Sequence, residues 1–241
     1  MNKKIMNYKI MIILLLTIMI VIISTPISHN SFFDSAFVTA IPSTTKYSLS
    51  ELIQQGSPYL GDPSSPITII DFSDFQCHLC ARFVKNTEPL INETYIQTGR
   101  VALVFKHLPN RGFDSMGAHL AAQCTNDQGK FWQFHNLLYE NQQGIDTGWV
   151  NEENLRKFAS QIPGLNIEQF NSCFGTQKYK EFIDKDVELA NSIGFFDTPN
   201  FIIVQSIDGS DPEVIRGAQP FPAFQSVIDK KLDDSGQKRG L

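Results

Sequence analysis

The sequence has no cluster of lysine and arginine outside its first nine residues and its C-terminal tip, and acidic side chains outnumber basic ones, 25 to 20, for a net charge of −5. Such a chain carries no electrostatic footprint for a phosphate backbone, so nucleic acid is not an expected partner. It also lacks an internal repeat and any low-complexity tract, which removes solenoids and arrays. Long apolar runs are scarce as well. The run Ile10 to Ile23 covers about 14 residues, short of the roughly 20 that a spanning helix needs. Because Lys3, Lys4 and Lys9 precede it, the run reads as a targeting or anchoring segment with Asn2 inside and the rest of the chain outside. Val38-Thr39-Ala40 is the best small-residue cleavage pattern. It lies far from the apolar run, so a retained membrane anchor is preferred to a cleaved signal. Under either reading the folded part is extracytoplasmic and faces an oxidising compartment.

Cysteine is sparse too: Cys77, Cys80, Cys124 and Cys173 make up the whole count of four. All lie in the exported part, and an even count there points to two disulfides.

Along the chain, residues 1–40 read as the signal or anchor segment with its tether, and 41–57 as a linker with one short helix. Residues 58–235 read as the folded domain, followed by a tail at 236–241. The short helix rests on Ser48-Leu49-Ser50-Glu51, which has capping-box spacing. Ile67 to Phe72 is a β-branched run after Pro66 and reads as a buried strand. From His78 to about Gln97 the apolar spacing predicts a helix, kinked at Pro89 and stopped at Gly99, and Val101 to Phe105 is the next strand. Strand, helix, strand over this span is a right-handed βαβ unit. Residues 112–193 then show repeated helical periods, predicting a helical subdomain inserted into an α/β core, with Phe131, Trp132 and Phe134 as part of its own core. Phe201 to Ile207 and Glu213 to Arg216 are expected to form an antiparallel hairpin through Asp208-Gly209, and a last helix carries Phe221, Phe224, Ile228 and Leu232.

The chemistry concentrates at Cys77-His78-Leu79-Cys80. A cysteine at the start of a helix meets free backbone N–H groups and the positive end of the dipole, both of which favour its thiolate. Cys77 is therefore the expected nucleophile. Cys80, one turn later and facing inward, can resolve a mixed disulfide. His78 beside the nucleophile can lower its pKa when protonated. Two other readings of the pair were weighed. A zinc site would recruit a second cysteine pair or suitably spaced histidines, and His29, His107, His119 and His135 lack that spacing, so no metal or other cofactor is expected. A static disulfide across so short a loop would gain little stability.

Asp71, six residues before Cys77 on the strand, is either a buried carboxyl relaying the proton of Cys80 or an ordinary strand-end acid. Thr198-Pro199 is on local grounds a strand-entry proline, with a cis bond as the sharper alternative. Cys124 and Cys173 lie on the apolar stripes of two separate predicted helices and read as a structural disulfide, against the alternative of two free buried thiols.

Taken together, these segments resemble the DsbA-type branch of the thioredoxin superfamily, in the single-chain group with a helical insertion that includes BdbD-like proteins. The resemblance covers roughly residues 58 to 232. It rests on Gly61-Asp62-Pro63 with Pro66, the run Ile67 to Cys80, Phe105-Lys106-His107-Leu108-Pro109, Ala121-Ala122-Gln123-Cys124, Gly129-Lys130-Phe131-Trp132, Phe170 to Cys173, and Thr198-Pro199-Asn200-Phe201. It implies a thioredoxin fold, a βαβ unit plus a ββα unit around a mixed sheet, with the helical insertion. It also implies that Asp71 is the buried acid near the active site, and that Thr198-Pro199 is the cis-proline loop against the cysteine pair. A strand-like substrate segment would pair with the backbone around Thr198. The implied partners are cysteine-containing exported proteins and a membrane quinone-coupled reoxidase. One departure stands out: DsbA itself has Pro then His between its cysteines, whereas here His78-Leu79 has His first and no Pro.

The expected activity is thiol-disulfide exchange, with this chain as disulfide donor. The alternatives are the reverse chemistry, as reductase or isomerase, and delivery of a soft ion such as copper through the same cysteines.

Overall fold

The computed structural model describes residues 38–40, 48–234 and 236. The expectations placed on the N-terminal segment, its cleavage and most of the tether and tail lie outside the described residues.

The polypeptide is organised around a six-stranded mixed sheet in the order β1-β6-β5-β3-β4-β2. The strands are β1 (Val38–Ala40), β2 (Tyr59–Leu60), β3 (Ile67–Ser73), β4 (Val101–His107), β5 (Asn200–Gln205) and β6 (Glu213–Arg216). β3 and β4 run parallel, Ile67 opposite Val101 and Ser73 opposite His107, while β3 pairs antiparallel with β5, and β5 with β6. β3, β4 and most of β5 are buried on both faces, which is why their sequences are nearly continuous apolar runs rather than alternating ones.

The first helices among the described residues are α1 (Leu49–Leu52) and α2 (His78–Asn86). The capping box expected at Ser48 is present, its side chain accepting from Glu51 N–H while the Glu51 carboxylate takes Ser48 N–H at 2.6 Å. Leu52 is buried against Ile70 and Phe72. Val38–Ala40 pairs antiparallel with β6. Both α1 and β1 thus lie ahead of residue 58, the expected start of the domain, the first packed through Leu52 and the second paired on the sheet edge.

The helix expected from His78 to Gln97 is broken at Thr87. A short α3 (Glu88–Ile91) follows, with Pro89 in its first turn, and then a π-helical turn, Asn92–Ile96. Proline has no N–H to continue the preceding ladder and is tolerated only in a first turn, so the chain restarts rather than bends.

The insertion comprises five helices, α4 (Ser115–Asn126), α5 (Phe131–Glu140), α6 (Glu152–Ser160), α7 (Ile167–Gly175) and α8 (Lys180–Ser192). Its core joins Leu120, Cys124, Phe131, Phe134, Leu155 and Phe170 to Cys77 and Cys80. α9 (Phe221–Asp234) packs Phe224 and Ile228 against β3, β5 and Phe83 of α2. The link between β5 and β6 is longer than the tight Asp208-Gly209 turn expected, since β5 ends at Gln205, whose carbonyl accepts from Gly209 N–H at 2.9 Å. Among the described residues no helix is long and apolar enough to cross a membrane.

Candidate active site

β3 delivers the chain to a tight loop, Asp74-Phe75-Gln76, after which Cys77 is the N-cap of α2. The Cys77 N–H donates to Asp74 O at 3.0 Å, and the Cys77 sulfur accepts from the Cys80 N–H at 3.4 Å. A sulfur in the capping position does what an N-cap oxygen does, accepting from an otherwise unpaired amide, and it does so best as an anion.

On the other side of the mouth the Thr198–Pro199 bond is cis, and the Cys77 thiol donates to Thr198 O at 3.3 Å. Cys77 is 1% exposed and Cys80 wholly buried, and both are free thiols. The two thiols differ sharply. The hydrogen bond from Cys80, opposed by desolvation and aided by Thr198, the Cys80 amide and the charge of Arg111, brings Cys77 down to about 6. Burial, with Cys77 and Asp71 adding to it, pushes Cys80 well above its ordinary value. One sulfur is thus a ready nucleophile and good leaving group, and the other holds its proton.

Asp71 is fully buried. Strand alternation puts it on the face shared with Ile67 and Ile69, which is the face covered by Phe83 of α2. Burial raises its carboxyl to about 7, against a hydrogen bond from Ser73, and the charge of Cys77 raises it further. Its Oδ2 has no hydrogen-bond partner. A second acid that the sequence analysis did not single out, Glu88, is buried with Oε2 unpartnered, and burial together with Asp71 lifts it to about 8. In the sequence Glu88 looks like an ordinary acidic residue in a first helical turn.

His78 stands apart from this cluster. It is exposed and faces a surface groove of about 750 Å³ with Arg82, Glu88, Asn136 and Tyr139. The groups that lower Cys77 are Cys80, Thr198 and Arg111. The first residue after an N-cap projects outward from the helix start, and Cys77 itself turns inward.

Asp74 was also missed. Its carboxylate accepts from Gln76 N–H at 2.7 Å, Ser115 Oγ at 2.9 Å, Asn110 N–H at 2.7 Å and Arg111 N–H at 2.8 Å. It fastens the cysteine loop to the β4–α4 loop and to α4. The spacing from Asp74 to Asn110 and Arg111 carries no local signal.

Cys124 of α4 and Cys173 of α7 form a disulfide closing a span of 49 residues. It staples the insertion and leaves Cys77 and Cys80 as free thiols. A second groove, of about 770 Å³ between Pro66 and Gln205, lies at the opposite end of the sheet and holds no cysteine.

The sheet order, the helix capped by Cys77 and the cis proline opposite it define a thioredoxin-type exchange site. Residues 54–230 match the thioredoxin family model, and the chain belongs to that family. Within it, several relatives carry names of disulfide formation. The chain is 28% identical over 176 residues to the probable disulfide bond formation protein D of Bacillus anthracis, covering 72% of this chain and 77% of that one. Among solved structures, oxidised BdbD from Bacillus subtilis superposes with a TM-score of 0.66 at 25% identity, covering 74% of this chain and 94% of that one. Alpha-DsbA1 from Wolbachia pipientis superposes with a TM-score of 0.64 at 27% identity, covering 76% and 94%. The resemblance read from the sequence is thereby shown, and with it the enzyme class, protein disulfide oxidoreductase.

Proposed function

We propose that this chain is an extracytoplasmic disulfide donor to exported proteins, with Cys77 as the reactive sulfur and Cys80 as its resolving partner. The observation that carries this reading is the opposed poise of the two thiols, Cys77 at about 6 and Cys80 well above its ordinary value.

In the oxidised protein, a substrate thiolate attacks the Cys77 sulfur. A bond forms between the two, the Cys77–Cys80 bond breaks, and Cys80 leaves with the electron pair. Cys80 then takes a proton, for which the Asp71 carboxyl is the buried carrier. A second substrate thiolate attacks the substrate sulfur of the mixed disulfide, forming the substrate disulfide, and Cys77 leaves as thiolate with the electron pair. Two electrons have passed from the substrate to the cysteine pair, and a reoxidase must remove them; the family resemblance points to a membrane quinone-coupled one. A low thiol pKa on Cys77 stabilises the reduced protein, which makes the pair an oxidant and favours donation over reduction.

Thr198 and Pro199 form the edge against which an extended substrate backbone would lie. Phe113 and Phe196 are 97% and 73% exposed, the first on the loop whose Arg111 reaches Thr198 and the second two residues before Thr198, its carbonyl accepting from Asn110 Nδ2 at 3.2 Å. Exposed aromatics at this mouth suit an unfolded polypeptide with apolar side chains around its cysteines. The basic-then-apolar N-terminus and the Cys124–Cys173 disulfide support export to an oxidising compartment.

The test is to equilibrate the protein with glutathione buffers and read the reduction potential of the Cys77–Cys80 pair. A potential near that of strong oxidants supports donation; one near that of thioredoxin, about −270 mV, would overturn it in favour of a reductase.

A further inference from the structure

Arg111, on the loop between β4 and α4, is tied down on one side and reaches across the mouth on the other. Its N–H donates to Asp74 Oδ2 at 2.8 Å, and its carbonyl accepts from Gln76 Nε2 at 3.0 Å. Its guanidinium crosses to the cis-proline loop, with Nε 3.3 Å from Thr198 Oγ1 and Nη2 3.5 Å from Thr198 O. The carbonyl it reaches is the one that takes the Cys77 thiol proton at 3.3 Å.

This shared acceptor sets up an electrostatic problem. When Cys77 loses its proton, its hydrogen bond to Thr198 O is gone, and a sulfur anion faces the negative end of a carbonyl dipole. A positive group at the same oxygen offsets this. Ionisable groups acting on Cys77 include Cys80 from α2, Asp71 from β3, Tyr139 from α5 and Arg111 from the β4–α4 loop. The first three carry no positive charge in any state, and Arg111 carries one at every accessible pH.

We propose that Arg111 is a positioning residue of the exchange site: it holds the Thr198 carbonyl opposite Cys77 and supplies the positive charge that the Cys77 thiolate faces. The proposal rests on Cys77 as the reactive sulfur. It gives the site a source of thiolate stabilisation on a different loop from the Cys-x-x-Cys helix, locked in place by Asp74. It also gives His78 no part in that stabilisation.

The test is a titration of the reduced full-length protein, following ultraviolet thiolate absorbance against pH. In the lower range the signal belongs to Cys77, because Cys80 titrates far above it. Arg111→Gln is expected to raise the midpoint by about half to one pH unit, the low end of what a neighbouring opposite charge produces, since Arg111 is only half-buried. Arg111→Lys keeps the charge without the planar fork and is expected to recover at least about half of the shift. In the unmodified protein added salt is expected to raise the midpoint, and to do so less in Arg111→Gln. An unchanged midpoint in Arg111→Gln, an equal rise in Arg111→Lys, or a salt-independent midpoint in the unmodified protein would overturn the proposal. The last measurement needs no variant to fold. A protein that titrates as expected but exchanges no disulfides would remove the proposed function and leave the role of Arg111 intact.

Discussion

The Cys77 sulfur lies 3.3 Å from the carbonyl oxygen of Thr198, a residue 121 positions later in the chain. The helix start makes one half of the exchange site and the cis-proline loop makes the other. A substrate attached to Cys77 would lie against the cis-proline loop. Cys77→Ser is expected to abolish exchange. Cys80→Ser is expected to accumulate mixed disulfides, visible as reducible high-mass species on non-reducing gels. Full turnover in either variant removes the assigned roles.

Asp71 ties stability to pH. Its carboxyl stands at about 7 in the fold against 3.8 as its ordinary value, so between these values the folded state keeps a proton that the unfolded chain has released. Stability from this group thus falls as pH rises from about 4 to about 7, by an amount on the order of a few kcal/mol. Asp71→Asn should flatten the slope in that window and be the more stable protein at pH 8, read by urea unfolding at several pH values. A slope unchanged by the substitution would show the carboxyl to be charged in the fold.

Lys106 and Asp186 form an ion pair with both side chains wholly buried. Asp186 also accepts from His107 N–H at 3.0 Å and Gln54 Nε2 at 2.5 Å, which anchors the segment after α1 to β4 and α8. Desolvation lowers Lys106 and raises Asp186, each opposed by the partner's charge. Removing one partner leaves the other charge buried alone, so Asp186→Ala is expected to cost about 3–5 kcal/mol. The paired change Lys106→Met with Asp186→Leu should cost much less, and equal losses in the two proteins would contradict this account.

The Cys124–Cys173 bridge closes a span of 49 residues. On chain entropy it contributes about 4 kcal/mol. Replacing both cysteines by alanine should lower the denaturation midpoint and leave the Cys77 titration in place, since the bridge lies within the insertion. A shifted Cys77 midpoint would show that the insertion transmits strain to the site.

The parts of this protein legible in its sequence are those written in short-range chemistry. A β-branched run, a cysteine at a helix start and a second cysteine one turn on specify Cys77 and Cys80 from neighbours alone, and the apolar stripes bearing Cys124 and Cys173 specify their burial. Helix capping at Ser48 was equally local. Which acid is buried and which cation meets Thr198 were decided by tertiary structure. Asp71 and Glu88 have raised carboxyls only because other elements exclude water from them. Arg111 and Thr198 meet across 87 positions. His78, adjacent to Cys77 in sequence, is exposed where Cys77 is buried, because neighbouring residues on a helix face different directions. Sequence carries periodicity and caps. Desolvation and through-space charge depend on which distant segments the fold brings together, and that is why a cysteine at a helix start could be read from the chain while the environment around it could not.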